Sequence, residues 1–229
     1  MIPGAIRRVS LVTGAARGIG RGIALRLAAD GHDVALADLP GSPLPGVAQE
    51  IQSLGRRTHV VYSDVSNENQ VKGMVNSVVD ELGGLDIMVA NAGIFIHRNI
   101  LQTSLEDFEK TMSVNLRGVF LCYKYAGARM VQQGRGGRII GAASVVSKLG
   151  DKGGVRSMTQ AAAMDLARYG ITVNAYAPGI IDTAMCLCTP VGRIGTPEDI
   201  AHLVSYMASE KSGFMTGQTV SCNGGTWCD

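Results

Sequence analysis

Apolar residues follow two rhythms along this chain. Runs such as Val9-Ser10-Leu11-Val12-Thr13, Val34-Ala35-Leu36-Ala37 and Ile87-Met88-Val89-Ala90 are strand-sized and almost uninterrupted, the pattern of strands buried on both faces. Further strands are expected over about Thr58 to Tyr62, Arg138 to Ala142, Ile171 to Tyr176 and Thr219 to Cys222. Between them apolar residues recur at helical spacing, as in Ile19, Ile23 and Leu27, and in Val47, Ile51 and Leu54. The clearest face is Val71, Met74, Val75, Val78, Val79 and Leu82. A long helix is predicted from Ser104, an N-cap with Asp107 three residues on, through Leu105, Phe108, Met112, Leu116, Val119, Phe120 and Tyr123. Others run from about Val155 to Ala167 and from Thr196-Pro197-Glu198-Asp199, which supplies cap, first-turn proline and acid. Pro40, Pro43 and Pro45 mark a loop. Strict alternation of seven strands with helices predicts an α/β fold: one doubly wound domain over 1–229, a parallel sheet with helices on both faces.

The junction of the first strand and helix is Thr13-Gly14-Ala15-Ala16-Arg17-Gly18-Ile19-Gly20. Gly14 can take backbone angles that a Cβ forbids, Gly18 lets main chain approach a phosphate, and Gly20 lets helix and strand pack closely. The free N–H groups and positive end of that helix then face an anion. Glycines are common in such turns, but here the second strand ends in Asp38, eighteen residues beyond Gly20, where ribose recognition needs an acid. Together these features predict a dinucleotide site.

Ligands of open parallel sheets bind beyond the carboxyl ends of the strands. Those ends carry Gly14, Asp38, Asp64-Val65, Asn91-Ala92-Gly93, Ser144 and Pro178-Gly179. The G-x-x-x-G-x-G order of Gly14, Gly18 and Gly20 resembles the short-chain dehydrogenase/reductase family, and with these strand ends the resemblance covers nearly the whole chain. It implies a Rossmann domain whose cofactor is held by Gly14, Arg17, Gly18, Ile19 and Gly20. Asp64 and Val65 resemble the adenine contact. Asn91, Ala92 and Gly93 are similar to the family's Asn-Asn-Ala-Gly, with Ala90 in place of the first Asn. Pro178, Gly179, Ile181 and Thr183 lie in a segment that resembles the one holding the nicotinamide amide. By the same resemblance Ser144 polarises the reacting oxygen, and the main-chain carbonyl of Asn115 holds a proton-relay water. From the residues alone, Ser144 is a strand-end hydroxyl and Asn115 a helix-interior amide bonded to a neighbour.

Asp38 bears on the cofactor. A carboxylate accepts bonds from both ribose hydroxyls, whereas a 2′-phosphate would bring like charges together. At ~4 Å and an effective dielectric of ~20 that repulsion is about 4 kcal/mol per charge pair. Arg17 pulls towards a phosphate but is expected to be exposed and screened. NAD is therefore expected over NADP.

The family's Tyr-x-x-x-Lys pair has no complete counterpart. The stretch from Ser144 to Val155 holds no tyrosine. Lys152-Gly153-Gly154-Val155 reads like the continuation from the family's lysine, so Lys152 is either that lysine or a loop lysine brought there by a deletion. Tyr123, Tyr125, Tyr169 and Tyr176 fall on other elements. The segment from Ala184 to Gly195 is also shorter than the lid usual in the family, so the chain is shortened near 148–153 and 184–195. Either the sequence as written omits mobile loops, the reading favoured by the intact surroundings, or the segments are deleted.

At 229 residues and 24.0 kDa the chain can bury about 70% of its unfolded surface. Its net charge of +2, from 21 basic and 19 acidic residues without a basic run, argues against nucleic-acid and membrane partners. The apolar runs are too short for a membrane span and the N-terminus lacks a signal-peptide core, so a cytoplasmic location is expected. Cys122, Cys186, Cys188, Cys222 and Cys228 are scattered, and Cys186-x-Cys188 has only His202 near it, on a predicted helix. Reduced structural thiols and no metal site are expected. Residues Thr159 to Ala163 and Asn174 to Ile180 resemble acetoin/diacetyl reductases and butanediol dehydrogenases. The resemblance implies an NAD(H)-dependent oxidoreductase interconverting a small secondary alcohol and ketone, as a homodimer or homotetramer. The alternative is a catalytically inactive NAD-binding sensor or subunit.

Overall fold

The computed structural model describes residues 8–96, 99–144, 153–181 and 189–227. In chain order the elements are β1 (Val9–Thr13), α1 (Gly18–Ala29), β2 (Asp33–Asp38), α2 (Leu44–Ser53), β3 (Thr58–Tyr62), α3 (Glu68–Leu82), β4 (Ile87–Ala90) and α4 (Leu105–Met112). A π-helical segment (Ser113–Gly118) follows, then α5 (Val119–Gln133), β5 (Gly137–Ala142), α6 (Gly153–Leu166), β6 (Ile171–Pro178), α7 (Pro197–Ala208) and β7 (Thr219–Cys222). The seven strands form one sheet in the order β3-β2-β1-β4-β5-β6-β7, every pairing parallel. The winding reverses between β1 and β4, which leaves a crevice at their carboxyl ends.

The uninterrupted apolar runs are explained by burial: β1 and β4 are buried at every position. Successive side chains go to opposite faces, so Leu11 joins one core with α3, α5 and α6, while Val12 joins the other with α1, α2 and α7. All six apolar residues predicted for the face of α3 are buried. The caps behave as the sequence indicates. Ser104 Oγ accepts the Asp107 N–H at 3.0 Å, and the Asp199 carboxylate accepts the Thr196 N–H at 2.8 Å. No helix among the described residues is long and apolar enough to cross a membrane.

Four expectations need correction. Pro45 does not lie in a loop; it occupies the first turn of α2, where its missing N–H costs nothing. Leu54 caps the end of α2 and is exposed rather than part of its apolar face. β6 runs two residues past Tyr176, because Ala177 and Pro178 pair with β7. The long helix from Ser104 is interrupted by the π-helical turn, and α4 buries no residue; Leu105 and Phe108 face outward.

Candidate active site

A cleft of about 450 Å³ opens over the crevice. It is lined from six strand ends: Gly14, Arg17, Ile19 and Gly20 after β1; Ala37, Asp38 and Leu39 at β2; and Ser63, Asp64 and Val65 after β3. Asn91, Ala92, Gly93, Ile94 and Phe95 after β4, Ala142 and Ala143 at β5, Tyr176 and Pro178 on β6, and Val114 complete it. A larger groove of about 940 Å³ lies against the outer sides of α4, the π-helical turn, α5 and α6, away from the strand ends.

The glycine turn has the built-in geometry of an anion cradle. Gly14 sits at φ +66°, and a Cβ there would come within 2.9 Å of Ala92 Cα. A Cβ on Gly20 would overlap the Gly14 carbonyl oxygen, so helix and strand could not approach as they do. Gly18 sits at φ +54° with open space before it. Arg17 is the extended, exposed N-cap of α1, and no side-chain cap closes the helix start. Ile19 and Gly20 in the first turn of α1 line the cleft, so its amides and positive dipole end border the space. Ile19 is only half-buried there, unlike Ile23 and Leu27 on the same face.

Asp38 ends β2 at the wall of this turn. Its Oδ2 accepts the Ala16 N–H at 3.0 Å and its Oδ1 the Leu39 N–H at 2.8 Å. Asp64 Oδ1 accepts both the Ser66 N–H and hydroxyl, at 2.8 and 2.7 Å, which fixes the loop before α3. Val65 is buried, and a Cβ on Gly118 would press on its Cγ2 at 2.9 Å. Asn91 serves the frame more than the cavity. Its Nδ2 donates to the carbonyls of Thr13 (2.8 Å) and Gly14 (3.3 Å), and its Oδ1 accepts from the Tyr176 hydroxyl at 2.7 Å. Asn115, buried in the π-helical turn, pairs its amide with both main-chain groups of Ile94, each at 2.8 Å. That bond ties the turn to the loop after β4. Such widened turns recur at functional sites.

Ser144 directly follows Ala143, which lines the cleft and whose N–H bonds to the Tyr176 carbonyl at 2.8 Å; Ser144 itself is not among the lining residues. Pro178 reaches the cleft but Gly179 and Ile181 do not line it. The chain turns after Pro178: the Gly179 N–H bonds to the Cys222 carbonyl at 3.0 Å, and Ile181 bridges to Gly195 beside a neighbouring hollow. Lys152 and Thr183 lie outside the described residues, as do Cys186, Cys188 and Cys228. Ala37, Leu39, Ser63, Ile94, Phe95, Val114, Ala142, Ala143 and Tyr176 line the cleft although the sequence patterns do not mark them as binding residues. All but Val114 lie within two residues of strand-end positions that are marked.

Tyr123, Tyr125 and Tyr169 do not line the cleft, and Tyr176, which does, has its hydroxyl bonded to Asn91. Tyr123 shares a hydrogen bond with Thr159 Oγ1 at 2.9 Å, and its burial pushes the phenol up from its ordinary value. Tyr125 donates to Glu68 Oε1 at 2.7 Å, a bond that also raises it. Burial raises Tyr176, and Tyr169 is exposed. Cys122 and Cys222 are free thiols, His202 lies on α7, and no group of metal-ligating side chains occurs among the described residues.

Residues 14–226 match the family model described as enoyl-(acyl carrier protein) reductase. A short-chain dehydrogenase/reductase of Armillaria gallica is 47% identical over 248 residues, with 95% of each chain covered. The chain belongs to the short-chain dehydrogenase/reductase family. It is also 38% identical to the 3-oxoacyl-[acyl-carrier-protein] reductase FabG of Staphylococcus aureus, over 95% of this chain and 97% of that one. Two solved structures share the fold closely. A short-chain type dehydrogenase/reductase from Mycobacterium marinum has a TM-score of 0.93 at 38% identity, covering 97% of this chain and 96% of that one. Acetoin dehydrogenase from Enterobacter cloacae has 0.90 at 29%, over 97% and 96%. The protein is thus an oxidoreductase of the short-chain type, in a family that uses nicotinamide cofactors, NAD or NADP, acts on small molecules and is typically oligomeric. The glycine cradle, where a Cβ at two positions would collide with backbone, and the open approach at Gly18 fit such a group.

Proposed function

We propose that this short-chain dehydrogenase/reductase uses NAD(H) to interconvert a small secondary alcohol and its ketone. The observation that carries the reading is Asp38: a carboxylate held by the Ala16 and Leu39 amides, lining the cleft beside the glycine turn. There it would accept the adenosine ribose hydroxyls and repel a 2′-phosphate, while Arg17 is exposed and screened. Gly14, Arg17, Gly18, Ile19 and Gly20 would hold the diphosphate, Asp64 and Val65 the adenine, and Asn91, Ala92 and Gly93 the wall between the two halves. Pro178, which lines the cleft, would lead the segment with Gly179, Ile181 and Thr183 that is proposed to hold the nicotinamide amide. Bound there, the cofactor supplies or accepts a hydride. Ser144 would donate a hydrogen bond to the reacting oxygen, and the main-chain carbonyl of Asn115 would hold a relay water. Lys152 would hold the nicotinamide ribose. The alcohol and ketone are proposed to be acetoin-like, supported by similarity to the Enterobacter cloacae acetoin dehydrogenase.

One observation favours a second reading. The alignment with the Armillaria gallica relative spans 248 residues against 229 in this chain, so gaps in this chain face segments of that relative. With no tyrosine between Ser144 and Val155, this supports an NAD-binding sensor or inactive subunit. NADH oxidation with diacetyl or acetoin as substrate separates the readings: turnover above background removes the second, and binding without turnover removes the first.

The assembly proposed is a homodimer or homotetramer. Its support is the outward-facing Leu105, Phe108 and Phe120 beside the 940 Å³ groove, and light scattering that finds only monomer at micromolar concentration would overturn it. The odd, scattered set of five cysteines supports a reducing, cytoplasmic setting.

A further inference from the structure

Tyr176 is 1% exposed and stands on β6, two strands away from β4 in the sheet. Its hydroxyl nonetheless reaches Asn91 Oδ1, just beyond β4, at 2.7 Å. The ring therefore crosses β5, where its register partner is Ala142. A methyl group there leaves room for a ring to pass.

The other end of the Asn91 amide faces two carbonyls, those of Thr13 and Gly14. Only an NH₂ group can face two acceptors, so Oδ1 must face Tyr176, and the phenol must be the donor. The Asn91 backbone is already fixed, because Thr13 Oγ1 accepts its N–H at 3.0 Å and that of Ala92 at 3.1 Å. What remains is the rotation of the Asn91 side chain, which the phenol fixes from one end and the Thr13 and Gly14 carbonyls from the other. The bonds run from β6 through Asn91 to the two residues that open the glycine turn.

We infer that Tyr176 is a positioning residue for the dinucleotide cradle: it locks the Asn91 amide in the rotamer that holds the Thr13 and Gly14 carbonyls in place. The inference rests on the reading of the cleft as a cofactor site. It does not make Tyr176 a substitute acid, since its proton is committed to Asn91 and burial opposes the phenolate.

Tyr176→Phe keeps the ring and its packing but leaves the Asn91 acceptor without its donor. Hydrogen exchange on the whole chain without cofactor is expected to quicken about fivefold or more in residues 13–20, with the rest of the sheet unchanged. Calorimetric titration with NADH is expected to show about tenfold weaker binding. Because Tyr176 acts through Asn91, the double variant Tyr176→Phe/Asn91→Ala should bind NADH no more weakly than Asn91→Ala alone. Should Tyr176→Phe fold poorly, Ala142→Val, which displaces the ring while keeping the hydroxyl, should give the same local quickening. Unchanged exchange in 13–20, or penalties of the two substitutions that multiply, would overturn the inference. If the wild-type protein binds no dinucleotide, the cofactor reading falls, and the exchange data still decide whether Tyr176 holds the turn.

Discussion

Asp38 and Ala16 are 22 positions apart, and the Oδ2 of the first accepts the amide of the second at 3.0 Å. The bond joins the end of β2 to the glycine turn and puts a negative charge on the wall of the cleft. Asp38→Ser keeps a short polar side chain and removes the charge. The ratio of NADPH to NADH affinity is expected to rise about tenfold or more, a discounted share of the roughly 4 kcal/mol repulsion per charge pair. Parallel titrations of both cofactors check this, and an unchanged ratio would remove Asp38 as the discriminating residue.

Two glycines of the same turn should fail in different ways. A Cβ on Gly20 meets the Gly14 carbonyl, so Gly20→Ala is expected to lower stability by about 1–3 kcal/mol in urea denaturation. A Cβ on Gly18 meets nothing of the protein, leaving only the strain of its φ of +54°, about 1–2 kcal/mol. Its larger effect should fall on NADH affinity, because the added methyl stands where a phosphate would approach. Equal losses of affinity at matched stability would contradict this division.

Much of this architecture was legible because burial on both faces leaves nearly unbroken apolar runs: β1, β3, β4 and β7 fall where the sequence places them. What was missed depends on distant register or on turns without local signal. Tyr176 reads as one more core residue in an apolar strand; only its alignment with Ala142 across β5 sends the phenol to Asn91. The π-helical turn escaped because Met112, Leu116 and Val119 continue helical spacing straight through it.

Acid should loosen α7. The Arg193 guanidinium, with the Thr196 N–H, holds the Asp199 carboxyl well below the usual carboxylate range. A depressed folded value means the stabilisation is complete above the unfolded pKa, near 4, and is lost as pH falls towards the folded one. Asp199→Asn should therefore lower Tm at pH 7 and flatten its decline below about pH 4. Wild-type and variant melting curves that stay parallel from pH 7 to pH 2 would contradict the assignment.

Cys122 should be inert in the folded protein. Burial pushes its thiol up to about 12, so almost no thiolate exists at pH 8. Iodoacetamide at pH 8, read by peptide mass spectrometry, should label it only after denaturation. Labelling of Cys122 at the rate of a free thiol before unfolding would place it outside the core.

The central claim is that a nicotinamide dinucleotide lies over the glycine turn with its adenosine ribose against Asp38. Calorimetric titration of the folded chain with NADH and then NADPH tests it most directly. Saturable binding of one NADH per chain, tighter than NADPH and weakened by Asp38→Ser, is the predicted result. Absence of heat with both cofactors on folded protein would contradict it.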